Sequence, residues 1–286
     1  MAPLFVAATP IGNPGDASKR LREQIETADL VAAEDSRKFH RLATDLGCES
    51  KPRVISFFDA NESDRVPMLI SALEVGKNVL LVSDAGTPGV SDPGFRLINE
   101  CISRALPLIV IPGASAVTTA LLYSGLPAAR FAFDGFLPRT TSGLERYFTA
   151  VRTEERTCVV FESPRRLERS LQVALKVLGP ERRIAICREM TKTYEEIFRG
   201  NLEQALIWAQ ERVSGEGIRG EITLVIAPIE SERAYSQEEI EMRAKELLEE
   251  GLSSKEISMR LSAEYSIQRR QAYDLVNSLR GDGQDA

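Results

Sequence analysis

Residues 78–94, NVLLVSDAGTPGVSDPG, decide the fold class. Asn78–Val82 is a strand-length aliphatic run that stops abruptly in Ser83-Asp84-Ala85-Gly86-Thr87-Pro88. A run without polar alternation suits a strand covered on both faces, as in a parallel sheet. The small residues of the loop let a ligand come close to the main chain, and Asp84 can accept hydrogen bonds or face a cation.

The same pattern recurs outward along the chain. Leu4–Ala8 ends in TPIGN (9–13), Pro107–Ile111 in PGAS (112–115) and Thr157–Phe161 in ESP. Arg183–Cys187 ends in REMTK (188–192) and Glu221–Ala227 in Pro228, while Val54–Phe58 and Phe131–Phe133 are weaker strands. Between them lie segments of helical period: Ser18–Ala28, Val66–Glu74, Phe95–Ala105, Ser115–Ser124, Leu144–Val151, Arg165–Leu178 and Leu202–Val213. Strands alternating with helices predict an α/β fold. The alternation pauses between Pro127 and Pro138, which predicts an N-terminal α/β lobe over 1–122 and a second over 123–230. After Pro228, Ser236–Glu239 and Ser253–Glu256 both have capping-box spacing, and a further helix is expected over Gln268–Leu279. Residues 231–286 therefore read as a small helical module of helix-turn-helix character.

Composition narrows the function. The 286 residues are 43% hydrophobic and 27% charged, within the globular range. No run is long enough to cross a bilayer, and the N-terminus lacks the basic start of a signal peptide, so a cytoplasmic protein without membrane contact is expected. Cys48, Cys101, Cys158 and Cys187 form no CxxC pair, and His40 is the one histidine, which argues against a zinc site; no metal is expected. The net charge of −6 excludes indiscriminate nucleic-acid binding by the whole surface, although residues 130–199 carry 14 Lys and Arg against 10 Asp and Glu. That segment, with Arg139, Arg146, Arg152, Arg165, Arg166 and Arg169, offers either a local basic face or an ordinary solvated helix.

There is no GxxxxGK[ST] and no GxGxxG after the first strand, which removes the Walker and Rossmann readings. Loops at the carboxyl ends of strands are where an α/β sheet binds ligands, though turns carry the same residues for conformational reasons alone. Two further loops hold candidate reactive groups: AAEDSR (32–37), with Glu34 and Asp35, and REMTK, with Glu189 and Lys192. Either set could act as a general base or form structural ion pairs.

Taken in order, TPIGN, AAEDSR, SDAGTPGVSDPG, VIPGASA, DGFLPR, FESPRRL and REMTK resemble the signature blocks of the class III tetrapyrrole methylase-fold enzymes. Among these the chain is most similar to the bacterial 16S rRNA (cytidine-2′-O)-methyltransferases, which methylate a decoding-centre cytidine. Ser36 and Met190 stand where threonine and leucine are commoner. The resemblance implies a two-lobed homodimer with S-adenosyl-L-methionine in the cleft. By the same resemblance, Pro10, Gly12, Asn13, Asp84, Ala85, Gly86, Thr87, Val90, Ser91, Ser115 and Ala116 would line one side of the cofactor. Phe161, Glu162, Met190, Gly220 and Glu221 would line the other. For the proton acceptor in such a transfer we expect Lys192 held by Glu189, with Glu34 and Asp35 as the competing pair. Arg37, Arg139, Arg165, Arg269 and Arg270 would contact substrate RNA, 16S rRNA in the small ribosomal subunit, and no DNA. Methylation of a porphyrin-like ring, or a DNA-binding regulator that senses a metabolite, are the rival functions.

Overall fold

The computed structural model describes residues 1–215, 217–229, 237–265 and 267–281. It divides into two compact units, Met1–Pro228 and Ile229–Ala286. The first contains two five-stranded sheets.

The first sheet is built from β1 (Leu4–Ala7), β2 (Leu30–Ala33), β3 (Arg53–Ser56), β4 (Val79–Val82) and β5 (Leu108–Ile111), in the order β3-β2-β4-β1-β5. Every pairing is parallel. The loops that follow its strands therefore leave from one edge. Alternate residues bury on opposite faces, as the two-residue period of a strand requires. Leu4, Val6 and Leu81 pack on α3 (Glu62–Glu74) and α4 (Phe95–Ser103). Ala7, Leu80 and Val82 pack on α1 (Lys19–Thr27) and α2 (Ser36–Asp45). Side-chain caps set the helix starts on that second face: Ser18 accepts from Leu21 N at 3.0 Å and Asp35 from Arg37 N at 2.8 Å.

The second sheet is mixed. It contains β6 (Phe131–Phe136), β7 (Thr157–Glu162), β8 (Arg183–Arg188), β9 (Glu196–Asn201) and β10 (Ile222–Ile226), in the order β6-β7-β10-β8-β9. β10 runs antiparallel to both β7 and β8, with Ile222 opposite Glu162 on one side and Arg188 on the other. The start of β10 thus lies beside the ends of β7 and β8. On one face Cys158, Val160, Ile186 and Leu224 bury against α6 (Thr141–Val151), α7 (Leu167–Leu178) and α8 (Leu202–Ser214).

The other face is covered by α5 (Ala116–Ser124), whose Val117, Ala120 and Leu121 bury with Val159, Ala185, Cys187 and Val225. By its packing α5 goes with the second sheet, although it follows the last strand of the first. The chain changes sheets at Pro112–Ser115, earlier than the Pro127–Pro138 interval suggests. Sequence spacing shows where a helix starts but not which sheet it covers.

The second unit holds α9 (Gln237–Glu249), α10 (Ser254–Tyr265) and α11 (Arg269–Gly281) around Ala244, Leu247, Ile257, Leu261, Ala272 and Val276. Ser253 and Glu256 form the expected capping box: Glu256 N donates to Ser253 Oγ at 3.3 Å and Ser253 N to Glu256 Oε2 at 3.0 Å. Ser236 of the other box lies outside the described residues. Among the described residues no helix is long and apolar enough to cross a membrane. All four cysteines are free, and burial pushes the thiols of Cys101, Cys158 and Cys187 up to about 11, 11 and 12.

Candidate active site

The strand ends of the two sheets enclose a cleft of about 380 Å³, within the range of small-molecule sites. One wall comes from the loops after β2 and β4, which are laced together. Asp35 N donates to Asp84 Oδ1 at 2.9 Å, Asp84 N to Glu34 Oε2 at 3.3 Å and Lys38 Nζ to Asp84 Oδ2 at 2.7 Å. The β1 loop joins them through a short bridge, in which Thr9 N donates to Gly86 O and Gly86 N to Thr9 O at 2.8 and 3.0 Å. Gly86 holds φ +79°, a conformation that favours glycine. Further along the β4 loop, buried Glu62 accepts from Gly94 N and Arg96 N at 3.2 and 2.9 Å. That contact anchors the end of the loop, two residues beyond Asp92.

Three carboxylates of this wall line the cleft: Glu34, Asp84 and Asp92. Burial, then the neighbouring Asp84, raises the pKa of Glu34. Burial, then the charge of Glu34, pushes Asp92 up to about 7, against a smaller lowering by a hydrogen bond from Ser83. The Asp84 carboxylate holds Lys38 protonated more firmly than an ordinary lysine.

The second wall is made by Phe136, Phe161, Met190 and the Gly220–Thr223 segment, with Ser115, Ala116 and Val117 of the α5 start beside it. Glu189 and Thr191 flank Met190 with φ +49° and +65°, and Thr191 Oγ1 accepts from Asn13 N at 3.1 Å across to the β1 loop. Gly220, at φ +92°, lies so close to Glu189 that a Cβ there would overlap its carboxylate.

Of the expected cofactor residues, Asp84, Ala85, Gly86, Thr87 and Val90 line the cleft from the first side, and Ser115 and Ala116 line it at the start of α5. Phe161, Glu162, Met190, Gly220 and Glu221 line it from the second. Glu162 is already engaged: its carboxylate accepts from Ser163 N at 2.6 Å and Ser170 Oγ at 2.5 Å and pairs with Arg166 at 2.6 Å, so it anchors α7. Pro10, Gly12, Asn13 and Ser91 are not among the lining residues. Ile11 takes the place of its neighbours, while Gly12 packs against Lys192 and Asn13 caps the turn Pro14–Asp16.

Lys192 also lies outside the lining. Its Nζ donates to Glu189 Oε1 at 2.9 Å and Glu221 Oε2 at 2.8 Å. Burial alone would lower its pKa, but the two carboxylates outweigh it and leave Lys192 protonated above the usual lysine range. Burial likewise pulls Glu189 upward, and the hydrogen bonds from Lys192 and Glu221 N outweigh it, so Glu189 stays ionised. Lys192 therefore rests as an ammonium held between two carboxylates. Asp35 is engaged as well. Hydrogen bonds from Arg37 lower its pKa, and its oxygens cap α2 and pair with that exposed arginine at 3.1 Å.

Arg139 and Arg165 are exposed beside the second wall, without a carboxylate partner among the described residues. Arg169 Nη2 donates to Arg139 O at 2.5 Å and Arg166 Nη1 to Leu137 O at 3.4 Å, which ties the exit of β6 to the entry of α7. Arg269 and Arg270 are exposed at the start of α11 in the second unit. Sequence reasoning missed Lys38, Asp92 and Phe136. Asp92 stood within the quoted loop, but only the fold shows that it turns inward.

A family model described as Tetrapyrrole (Corrin/Porphyrin) Methylases matches residues 3–206, so the fold and its cleft are those of this class of methylase. Uroporphyrin-III C-methyl transferase from Thermus thermophilus, crystallised in complex with S-adenyl homocysteine, shares the fold at a TM-score of 0.53 and 18% identity, covering 79% of this chain and 97% of that one. The chain is 44% identical over 274 residues to the ribosomal RNA small subunit methyltransferase I of Mycobacterium tuberculosis, covering 96% of this chain and 94% of the relative. It is 38% identical over 285 residues to the protein of that name from Synechocystis, covering 99% and 100%. The chain belongs to the tetrapyrrole methylase family and, within it, to the ribosomal RNA small subunit methyltransferase I group.

Proposed function

We propose that this chain transfers the methyl group of S-adenosylmethionine to the ribose 2′-oxygen of a cytidine in 16S rRNA. Its membership among small-subunit rRNA methyltransferases supports the substrate, and the 2′-oxygen of the decoding-centre cytidine is the finer reading. The observation that carries the chemistry is the division of charge across one cleft. Glu34, Asp84 and Asp92, with Lys38 paired to Asp84, give one wall carboxylates suited to a sulfonium, while Arg139 and Arg165 are exposed and close in the chain to the cleft-lining Phe136 and Pro164, as phosphate contacts would need to be.

The residues present fit the cofactor. Ala85, Gly86 and Ala116 line the cleft without large side chains to fill it, Ile11, Val117 and Met190 supply apolar surface, and the volume suits a nucleoside-sized ligand. When bound, the cofactor supplies a methyl group on a good leaving group. The protein must then align the hydroxyl and remove a poorly acidic proton. Asp92 is the acceptor in this reading, because a carboxyl held near 7 is partly ionised at neutral pH yet basic enough to take the proton. Glu34 raises it, and Lys38 holds Asp84 in place. Lys192 keeps Glu189 and Glu221 together at the second wall.

We extend the proposal to a homodimer in the cytoplasm acting on the assembled small subunit, with Arg37, Arg269 and Arg270 as further RNA contacts. A labelled-methyl assay offering naked rRNA, small ribosomal subunits and a tetrapyrrole tests the reading. Label in the 2′-position of one cytidine of the subunit is expected; label in the tetrapyrrole alone would overturn it.

A further inference from the structure

β6 is not a regular strand. Phe131, Ala132 and Phe133 pair with Thr157, Cys158 and Val159, and the register then shifts so that Phe136 pairs with Phe161. Three steps along β6 match two along β7, which is one extra residue, a β-bulge. In an even strand Phe133 and Phe136 would point to opposite faces. Here both rings meet Phe161 edge-on, with centroids at 4.9 and 5.4 Å. Gly135 carries the bend at φ +69°, and a Cβ there would press on Ser91 Oγ at 3.3 Å, so the bulge also abuts the Asp92 loop. The two rings have different fates: Phe133 packs into the core of the second sheet, whereas Phe136 lines the cleft and remains 61% exposed.

We propose that Phe136 is the platform on which the target nucleobase stacks while its ribose is presented to the cleft. The inference rests on the RNA-methylating reading and adds to it the residue that holds the base. Bulges beside sites re-aim side chains, and this one turns a large apolar ring toward the mouth of the cleft. The surroundings select the occupant. Arg139 follows three residues later in the chain and Arg165 adjoins the cleft-lining Pro164; both are exposed, and neither has a carboxylate partner among the described residues. An aromatic face beside arginines is the arrangement that receives a splayed base and its phosphates. The cofactor finds more enclosed apolar surface deeper in, at Ile11, Val117 and Met190, which are buried. Stacking is blind to base identity, so Phe136 positions the nucleotide without choosing its sequence.

The test uses the full chain, with Phe136→Ala and Phe136→Tyr, and small ribosomal subunits as the varied substrate. Calorimetry with S-adenosylhomocysteine runs in parallel. Phe136→Ala is expected to raise the KM for subunits on the order of tenfold or more, since removing a stacking ring costs roughly tenfold to a hundredfold per base. Phe136→Tyr, which keeps the ring face, should stay within about twofold of the parent, and both variants should bind S-adenosylhomocysteine as the parent does. Unchanged KM and kcat in Phe136→Ala would overturn the inference. So would a loss of S-adenosylhomocysteine affinity that matches the loss of turnover, because the ring would then serve the cofactor. Failure of the underlying reading is separately visible as a parent protein that takes up S-adenosylhomocysteine yet methylates no RNA.

Discussion

The two walls of the cleft receive their functional groups from sheets of different construction. In the first sheet all strands are parallel, so the loops after β1, β2, β4 and β5 share one edge, and the wall they make is acidic. In the second sheet β10 is reversed between β7 and β8, and two strand ends meet one strand start, Gly220–Ile222. That wall carries aromatic rings, the apolar Met190 and the carboxylates of Glu162 and Glu221, with exposed Arg165 next in the chain to the lining residue Pro164. A parallel sheet presents side chains on loops of free length, whereas the mixed sheet must squeeze a third chain between two exits. The tightness shows in Gly220 against Glu189 and in the left-handed backbone of Glu189 and Thr191. One wall therefore gathers carboxylates on its loops; the other sets aromatic and apolar surface in a crowded backbone.

The sharpest way to break this division is Asp92→Asn, which keeps shape and removes the acceptor. Turnover should fall by about 10²–10⁴ while S-adenosylhomocysteine binding persists. In the parent, kcat/KM should rise with pH toward a plateau above about 7, and the variant should lose that rise. Stability moves the opposite way. Because the folded pKa lies above the 3.8 of an ordinary aspartate, the unfolded chain ionises first, and the parent loses stability as pH climbs from about 4 to about 7. Asp92→Asn should unfold with a flatter pH dependence over that window. Full activity in the variant would remove Asp92 from the chemistry.

Next in size is Gly220→Ala. A side chain at φ +92° is strained, at a cost of roughly 1–3 kcal/mol, and it must displace the Glu189 carboxylate from Glu221 N and Lys192. Calorimetry should show cofactor affinity reduced by more than tenfold, with turnover at saturating cofactor much less affected. An unchanged affinity would mean that the second wall does not grip the cofactor.

Arg139→Ala and Arg165→Ala sharpen the comparison from the basic side. Each should raise the KM for RNA several-fold, leave cofactor binding alone, and reduce the slope of log affinity against log salt by roughly 0.7–0.9. Lower cofactor affinity with an unchanged salt slope would contradict the separation of roles.

The first wall was the more legible in the sequence, for a physical reason. Buried aliphatic runs that end in small polar residues mark parallel strand exits, so the loops at Thr9, Ser83 and Pro112 could be read directly. β2 and its helix were harder. Leu30–Ala33 is a four-residue run, and α2 buries only Phe39 and Ala43, which leaves Lys38 without a periodic signal. β9 was invisible because its two apolar residues, Ile197 and Phe198, are adjacent rather than alternating and none of its residues is fully buried, as suits an edge strand. Of the two partners of Lys192, sequence shows Glu189 nearby in the chain but not Glu221, which is distant in sequence and bonded in space. Phe136 depends on a bulge, and a one-residue shift between two strands leaves no trace in the spacing of either.

The smallest expected effect concerns a stitch between the walls. Thr191 Oγ1 accepts from Asn13 N, and removing it in Thr191→Ala forfeits one hydrogen bond in an exposed setting. Such bonds contribute about 0.5–1.5 kcal/mol net, and water can replace this one, so the lower end applies. A β-branched residue at φ +65° is itself strained, and alanine relieves part of that. The two effects oppose each other, and thermal unfolding of Thr191→Ala should stay within about 1 kcal/mol of the parent. Thr191→Gly separates them: it loses the same bond but removes the strain, so it should equal or exceed the alanine variant in stability. If both variants lost more than about 2 kcal/mol, the stitch would hold the walls together rather than trim their register, and their independence would fail with it.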